Sequence, residues 1–105
     1  MNALHDEPRD AGEGRLTQKF DHGRVFAEYR RDGEVMIVMH VEADPALRNT
    51  GAAGRFMASL VDWARTNDHQ IDPHCAYAAH WFSRHPEAAD VLGPEDELLR
   101  PQKPS

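Results

Sequence analysis

The sequence has a single cysteine, no long apolar run and no excess of positive charge. One cysteine, Cys75, cannot form an intramolecular disulfide, so a disulfide-stapled scaffold is excluded. No apolar run approaches the ~20 residues that span a bilayer. The N-terminal residues also lack the basic and apolar segments of a signal peptide. We therefore expect a cytoplasmic protein with no membrane partner.

Negative charge predominates, with 18 acidic against 12 basic residues and a formal net charge of −6. A protein that tracks nucleic-acid phosphates needs a strongly basic face, so the composition argues against a nucleic-acid partner. The same balance suits a small-molecule ligand or a cationic partner such as an amine. At 105 residues the chain has the length of one domain, and we expect a monomer or a weak homodimer.

Residues 1–14 and 93–105 are polar and are punctuated by proline and glycine. Neither segment carries enough apolar surface to offset the entropy that is lost when a chain is ordered. Both are therefore predicted to be flexible tails. The folded body, a single domain, is expected over residues 15–92.

The first half of this body is predicted to be a meander of three antiparallel strands. Residues 25–30 alternate between apolar and polar side chains, as in a half-buried strand. Asp32-Gly33 then supplies a hairpin turn, and the nearly continuous apolar run from Glu34 to Val41 indicates a central strand. A short strand from Leu16 to Phe20 precedes the pair.

The second half is predicted to be mostly helical. Apolar residues recur at spacings of three and four over residues 56–64, which predicts a helix from about Gly51 to about Asn67. A short strand follows at about Gln70 to Pro73, and a second helix from about Ala76 ends at His85 because Pro86 limits it. The order βββ-α-β-α predicts an α/β (α+β) fold, with helices packed on a mainly antiparallel sheet.

The junction at residues 45–57, PALRNTGAAGRFM, is predicted to bind phosphate. Gly51 and Gly54 let a ligand approach the backbone, and the N–H groups of a turn and of a first helical turn attract anions. Arg48 adds a charged donor. Close packing alone also explains small residues at such a junction. A dinucleotide site is disfavoured, because the glycine spacing and the antiparallel strands do not fit its fingerprint.

The same junction resembles a known family. The run Arg48-Asn49-Thr50-Gly51-Ala52-Ala53 resembles the Arg/Gln-x-x-Gly-x-Gly/Ala signature of the Gcn5-related N-acetyltransferase (GNAT) superfamily. More narrowly, the chain is similar to its minimal, YjdJ-like branch. Four blocks agree with that branch in order: Glu28-Tyr29-Arg30, His40-Val41-Glu42, Pro45-Ala46-Leu47-Arg48, and Cys75-x-Tyr77 running into Arg84-His85-Pro86-Glu87.

The resemblance implies a compact GNAT-like fold and an N-acetyltransferase with acetyl-coenzyme A as co-substrate. It implies that the acceptor is an amine on a small molecule or on a protein. It places the pantetheine arm beside the strand end at residues 40–42, and the thioester beside Cys75 and Tyr77. The implied coenzyme-binding residues are Val41, Arg48, Asn49, Thr50, Gly51, Ala52, Ala53 and Gly54.

Direct attack by a neutral amine on the thioester needs a proton acceptor and a donor for the departing thiolate. Glu42 and His40 are the candidate bases, and Tyr77 is the candidate acid. Cys75 stays open, as a nucleophile that carries the acetyl group or as a small buried residue. The histidine spacing fits no standard zinc pattern, so no metal is expected. Two alternatives remain: a module that binds coenzyme A without catalysis, and a structural adaptor.

Overall fold

A five-stranded sheet organises the chain in the computed structural model, which describes residues 4–93. Each of the first four strands pairs antiparallel with the next, and the fifth pairs parallel with the fourth. The spatial order is therefore the chain order. The strands are β1 His5–Pro8, β2 Glu13–Phe20, β3 Gly23–Asp32, β4 Val35–Ala43 and β5 Gln70–Pro73.

Two α-helices complete the expected order and confirm the predicted α+β class. Helix α1 spans Ala52–Thr66, with Gly51 and Asn67 as its caps, and α2 spans Ala76–Ser83. A 3-10 segment at Pro86–Val91 follows α2, which therefore ends two residues before the predicted His85. Neither α-helix in the described chain has the length and apolar content that crossing a bilayer requires.

The N-terminal segment departs from the prediction of a flexible tail. Strand β1 pairs with residues 14–17 of β2 at the edge of the sheet. The Tyr29 hydroxyl donates a hydrogen bond to Asp6 on β1, and the Tyr29 ring crosses Gly14, where a Cβ would overlap it. Polar cross-strand bonds therefore order residues 5–14, which apolar content alone could not reveal. Of the predicted C-terminal tail, Gly93 is buried and donates to the Ile71 carbonyl, and 94–105 lie outside the described residues.

The core lies between α1 and one face of the sheet. Alternate residues of β2, β3 and β4 point into it, because side chains along a strand alternate between faces. The opposite face carries polar groups, among them Arg15, Glu28 and His40. The residues that fill the core at 1% exposure or less include Leu16, Val25, Ala27, Met36, Val38, Phe56, Met57, Leu60 and Ala64.

Strand β4 is irregular where it leaves the core. Tyr29 on β3 pairs with Val38, and Glu28 pairs with His40, so Met39 is an extra, bulged residue. Pairing with β5 stops at Val38 and Pro73, although β4 continues to Ala43. A bulge re-aims the side chains that follow it. The two strands thus part beyond Val38 and leave an opening, which we call the β4–β5 opening.

Candidate functional site

The turn between β4 and α1 is built by Thr50 and two residues in the left-handed region. Asn49 has φ 62° and Gly51 has φ 81°. The Thr50 hydroxyl donates to the Leu47 carbonyl at 2.6 Å and accepts the Ala52 N–H at 3.2 Å. A 3-10 turn at Pro45–Leu47 follows β4, and these bonds then reverse the chain so that α1 begins at Ala52.

The start of α1 presents backbone donors. The first hydrogen bond of the helical pattern runs from the Arg55 N–H to the Gly51 carbonyl at 3.1 Å. Within residues 4–93, the N–H groups of Gly51, Ala53 and Gly54 have no acceptor. Such donors, together with the positive end of the helix dipole, favour an anion. These three N–H groups lie in the segment predicted to bind phosphate, and we call them the phosphate seat.

A groove leads away from this seat between α1 and α2. It encloses about 510 Å³, a volume typical of small-molecule sites. Gly54 faces Trp81 across it, since a Cβ on Gly54 would lie 4.0 Å from the Trp81 indole nitrogen, an ordinary van der Waals distance. Trp81 stacks on His85 with ring centroids 3.9 Å apart. The groove is lined by Gly51, Gly54, Arg55, Ala58, Val61, Asp62, Arg65, Trp81, His85, Glu87 and Ala88.

Arg48, in the turn before α1, and Arg65, in the groove lining, differ in their availability to a ligand. Arg48 is exposed, and no side-chain partner is found for it among the described residues. Arg65 is engaged by both carboxylate oxygens of Asp90, at 2.9 and 2.7 Å, by Asp62, and by the Glu87 carbonyl. The hydrogen bonds that Arg65 donates to Asp90 raise the pKa of Arg65. Arg48 is therefore open to an anionic ligand, whereas Arg65 serves the fold.

One wall of the β4–β5 opening carries the predicted bases. The His40 Nε2 and Glu42 Oε1 atoms lie 3.3 Å apart, and their side chains are 55% and 59% exposed. His40 pairs with Glu28, and Glu42 pairs with Phe26, on the face of the sheet opposite the core. Both side chains therefore point away from the core. Val41 between them is half-buried on the other face. The structure thus brings His40 and Glu42 together as an exposed acid–base pair.

The other wall is the start of α2. The backbone N–H groups of His74 and Cys75 both donate to the Val38 carbonyl, at 3.0 and 3.1 Å. Cys75 is the half-buried N-cap residue, and Tyr77 in the first turn is 39% exposed. Burial, with a smaller contribution from Cys75, raises the pKa of Tyr77. Its phenol therefore stays protonated at neutral pH and can donate a hydrogen bond.

Three features of this region were absent from the sequence prediction. They are the groove between the helices, the bulge at Met39, and a contact between Asp72 and His74. The groove and the bulge depend on residues that meet only in the fold, whereas the contact between Asp72 and His74 depends on the local conformation at the end of β5. Met39 is 48% exposed despite its apolar side chain, so the apolar run carried no signal of the bulge. Among residues 4–93, no group of three or more His, Cys, Asp or Glu side chains could hold a metal ion.

Comparison with models of protein families gives a match over residues 16–91, to a family described as GCN5-related N-acetyl-transferase. Comparison with curated proteins gives no match. The matched residues run from β2 to the end of the last 3-10 segment, so they include the start of α1 and both walls of the β4–β5 opening. The narrower branch within the superfamily stays a prediction.

Proposed function

The chain belongs to the GCN5-related N-acetyltransferase family, and we propose from this that it transfers an acetyl group from acetyl-coenzyme A to a primary amine. One observation carries the proposal: the free backbone donors of Gly51, Ala53 and Gly54 lie at the mouth of a groove of about 510 Å³. A diphosphate fits these donors, because a helix start concentrates N–H groups and positive potential at one point.

In this proposal the turn at Arg48–Gly54 holds the pyrophosphate of the coenzyme. Arg48 adds a charge-assisted bond to a phosphate oxygen, and the groove beside Trp81 takes apolar parts of the ligand. Asn49, Thr50, Ala52 and Ala53 shape the turn. The free edge of β4 at Val41 takes the pantetheine arm. When bound, acetyl-coenzyme A supplies a thioester carbonyl carbon for attack by the amine.

His40 and Glu42 take the first proton of the acceptor. An alkylamine is an ammonium ion at neutral pH and has no lone pair with which to attack, so a base must first remove a proton. The exposed His40–Glu42 pair lies at the end of β4, where the strand is free of β5. The negative charge of Glu42 also attracts the ammonium ion to this edge.

Tyr77 donates a hydrogen bond to the departing thiolate in this scheme. The attack is direct, so Cys75 contacts the acyl group without forming a bond to it. Intact-mass measurement after mixing with acetyl-coenzyme A tests this point. Direct attack predicts that neither the wild type nor Cys75→Ser accumulates an acetyl adduct. An adduct on the wild type that is lost in Cys75→Ser would instead assign the nucleophile to Cys75.

The test of the function is release of free thiol from acetyl-coenzyme A across a panel of amines. The proposal predicts release that depends on the amine and saturates with it. A thermal shift with coenzyme A measures binding separately, and ligand at 100 times its Kd adds about 2.7 kcal/mol of stability. Stabilisation without thiol release for any amine would instead indicate a module that binds the coenzyme without catalysis.

A further inference from the structure

A second acid–base pair stands at the β4–β5 opening and has no role in the scheme above. The His74 Nε2 and Asp72 Oδ2 atoms lie 2.9 Å apart. The Asp72 side chain is 8% exposed, whereas that of His74 is 52% exposed. A buried carboxylate thus holds one nitrogen of an imidazole whose remaining surface is open to solvent.

The sheet register places this pair with the other candidate groups. Asp72 pairs with Ile37, which alternates with the core residues Met36 and Val38, so Asp72 points to the face away from α1. His74 binds Asp72 on that face and comes just after the last paired residue of β5. His40 and Glu42 point to the same face from β4. The opening therefore has an imidazole on each strand.

The chemistry of the proposed transfer requires a second proton acceptor. The nitrogen enters as an ammonium ion and leaves as an amide, so it gives up two protons. The His40–Glu42 pair accounts for the first, before attack. We propose that His74, positioned by Asp72, takes the second proton as the acyl group is transferred. This inference rests on the proposed function and adds a catalytic residue to it.

The step balances in bonds and protons. The amine lone pair forms the new C–N bond, the C–S bond breaks, and its electron pair stays on sulfur. His74 Nδ1 takes the second proton from nitrogen, and the thiolate, which accepts the Tyr77 hydrogen bond, gains a proton from solvent. Two protons leave nitrogen and one is added to sulfur, so the net release to solvent is one proton. His74 immediately precedes Cys75 at the start of α2, on the same wall of the opening as Tyr77.

Asp72 determines which imidazole nitrogen is the base. An ionised carboxylate accepts only, so Nε2 carries the hydrogen and Nδ1 keeps its lone pair. The same carboxylate stabilises the imidazolium ion that forms. On the same face of the sheet, Arg30 lies in the cross-strand row of Ile37 and Asp72, and Glu28, His40 and Glu42 follow beyond it. Cys75 and Tyr77 lie at the start of α2. The His40–Glu42 contact is longer, at 3.3 Å, and exposed on both sides, so Asp72 holds its imidazole more firmly.

The kinetic test uses two acceptors, an alkylamine and an O-alkylhydroxylamine that is already neutral at pH 7. His74→Gln should lower kcat roughly 10²-fold with both acceptors, because both nitrogens must still lose a proton after attack. Glu42→Gln should lower the rate with the alkylamine alone. His80→Gln, an exposed histidine on α2, is the matched control and should leave both rates unchanged. Wild-type rates in His74→Gln with both acceptors would overturn the proposal.

The positioning role of Asp72 has a readout that is independent of turnover. In Asp72→Asn the amide can donate to Nε2, which moves the hydrogen to Nδ1 and removes the base from the site. We expect ¹⁵N NMR to show the Nε2–H tautomer in the wild type and the Nδ1–H tautomer in Asp72→Asn, with a rate loss like that of His74→Gln. An Nδ1–H tautomer in the wild type, or a changed tautomer with an unchanged rate, contradicts the proposal.

The two proposals fail in different ways. A coenzyme-induced thermal shift equal to that of the wild type shows that a variant is folded and binds the coenzyme. Absence of amine-dependent thiol release from the wild type overturns the transferase function itself, and this inference with it. Wild-type transfer that His74→Gln and Asp72→Asn leave unchanged overturns this inference alone.

Discussion

The Val38 carbonyl oxygen accepts the backbone N–H of Cys75 at 3.1 Å, and beyond this bond β4 and β5 no longer pair. The bond fixes the start of α2 against the middle of β4. The last residues of β4, from Met39 to Ala43, are left without a partner on that side within the described chain. A sheet that was paired along its whole length would have no such opening. The irregularity therefore creates the candidate site.

Gly51 should be required both for the turn and for coenzyme binding. Its φ of 81° lies in the left-handed region, where a Cβ costs about 1–2 kcal/mol, so Gly51→Ala should lose about that much stability. The added methyl group also crowds the phosphate seat, and we expect coenzyme A to bind about tenfold more weakly. Chemical denaturation and calorimetric titration measure the two effects.

Gly33→Ala is the matched control for this prediction. Gly33 also has positive φ, at 61°, and a Cβ there has no heavy atom within 4 Å. The backbone cost should be similar, yet coenzyme affinity should not change, because the hairpin of β3 and β4 lies near the end of α1 and away from its start. Equal losses of affinity in the two variants would show that Gly51 acts through stability alone.

Two arginines, Arg48 in the turn before α1 and Arg65 in the groove lining, should separate binding from stability. Arg48→Ala should weaken coenzyme A about tenfold with little change in stability, because the side chain is exposed and ready for a phosphate. Arg65→Ala should cost up to about 1 kcal/mol of stability, as an exposed ion pair does, with affinity unchanged, because Asp90 already holds its guanidinium. If Arg65→Ala were the variant that lost affinity, the placement of the phosphate would be wrong.

Tyr77→Phe should reduce turnover without reducing coenzyme affinity. The raised pKa of Tyr77 keeps its phenol protonated up to at least its ordinary value of 10.0, so the hydroxyl can serve the thiolate across the neutral range. We expect kcat of Tyr77→Phe to fall about 10²-fold. In the wild type, ionisation of the Tyr77 phenol should lower activity only above pH 10. A profile of kcat against pH for both proteins checks this, and an unchanged kcat removes the assignment.

Tyr29 should make the protein sensitive to alkali. Burial and the hydrogen bond to Asp6 raise the pKa of Tyr29 above its ordinary value. A raised folded-state pKa gives stability that is complete below the unfolded value of 10.0 and is lost as pH rises further. Tyr29→Phe should lower the free energy of unfolding by about 1.5 kcal/mol at neutral pH. Between about pH 10 and pH 12 the variant should then lose less stability than the wild type does. Urea unfolding at a series of pH values would show parallel curves if Tyr29 has no such role.

Local signals allowed much of the fold to be predicted. The bounds of α1 follow from apolar periodicity and from Gly51 as the cap, and β5 follows from a short run that ends in proline. The predicted coenzyme-binding residues Arg48–Gly54 were likewise read from one continuous segment. Features that join distant segments could not be read in this way. Strand β1 depends on a hydrogen bond between Tyr29 and Asp6, and Arg65 meets Asp90 only in the folded chain.

The Asp72–His74 pair shows the same limit within the site. Two polar residues at the end of a strand predict a turn more readily than an acid–base pair with a buried carboxylate. Asp72 and His74 lie at an opening only because β4 and β5 stop pairing at Val38, next to the bulge at Met39. A bulge leaves little trace in a strand whose residues are apolar on both faces. The Asp72–His74 pair on the α2 side of the opening could therefore be recognised only from the structure.

Titration of the ¹⁵N-labelled protein with coenzyme A tests the central claim most directly, because the backbone amides of α1 report on the phosphate seat. We predict that the largest shifts fall on the amides of Gly51, Ala53 and Gly54, and that Arg48→Ala reduces the affinity that they report. Binding that leaves these three amides unmoved, with shifts confined to another surface, would contradict the account.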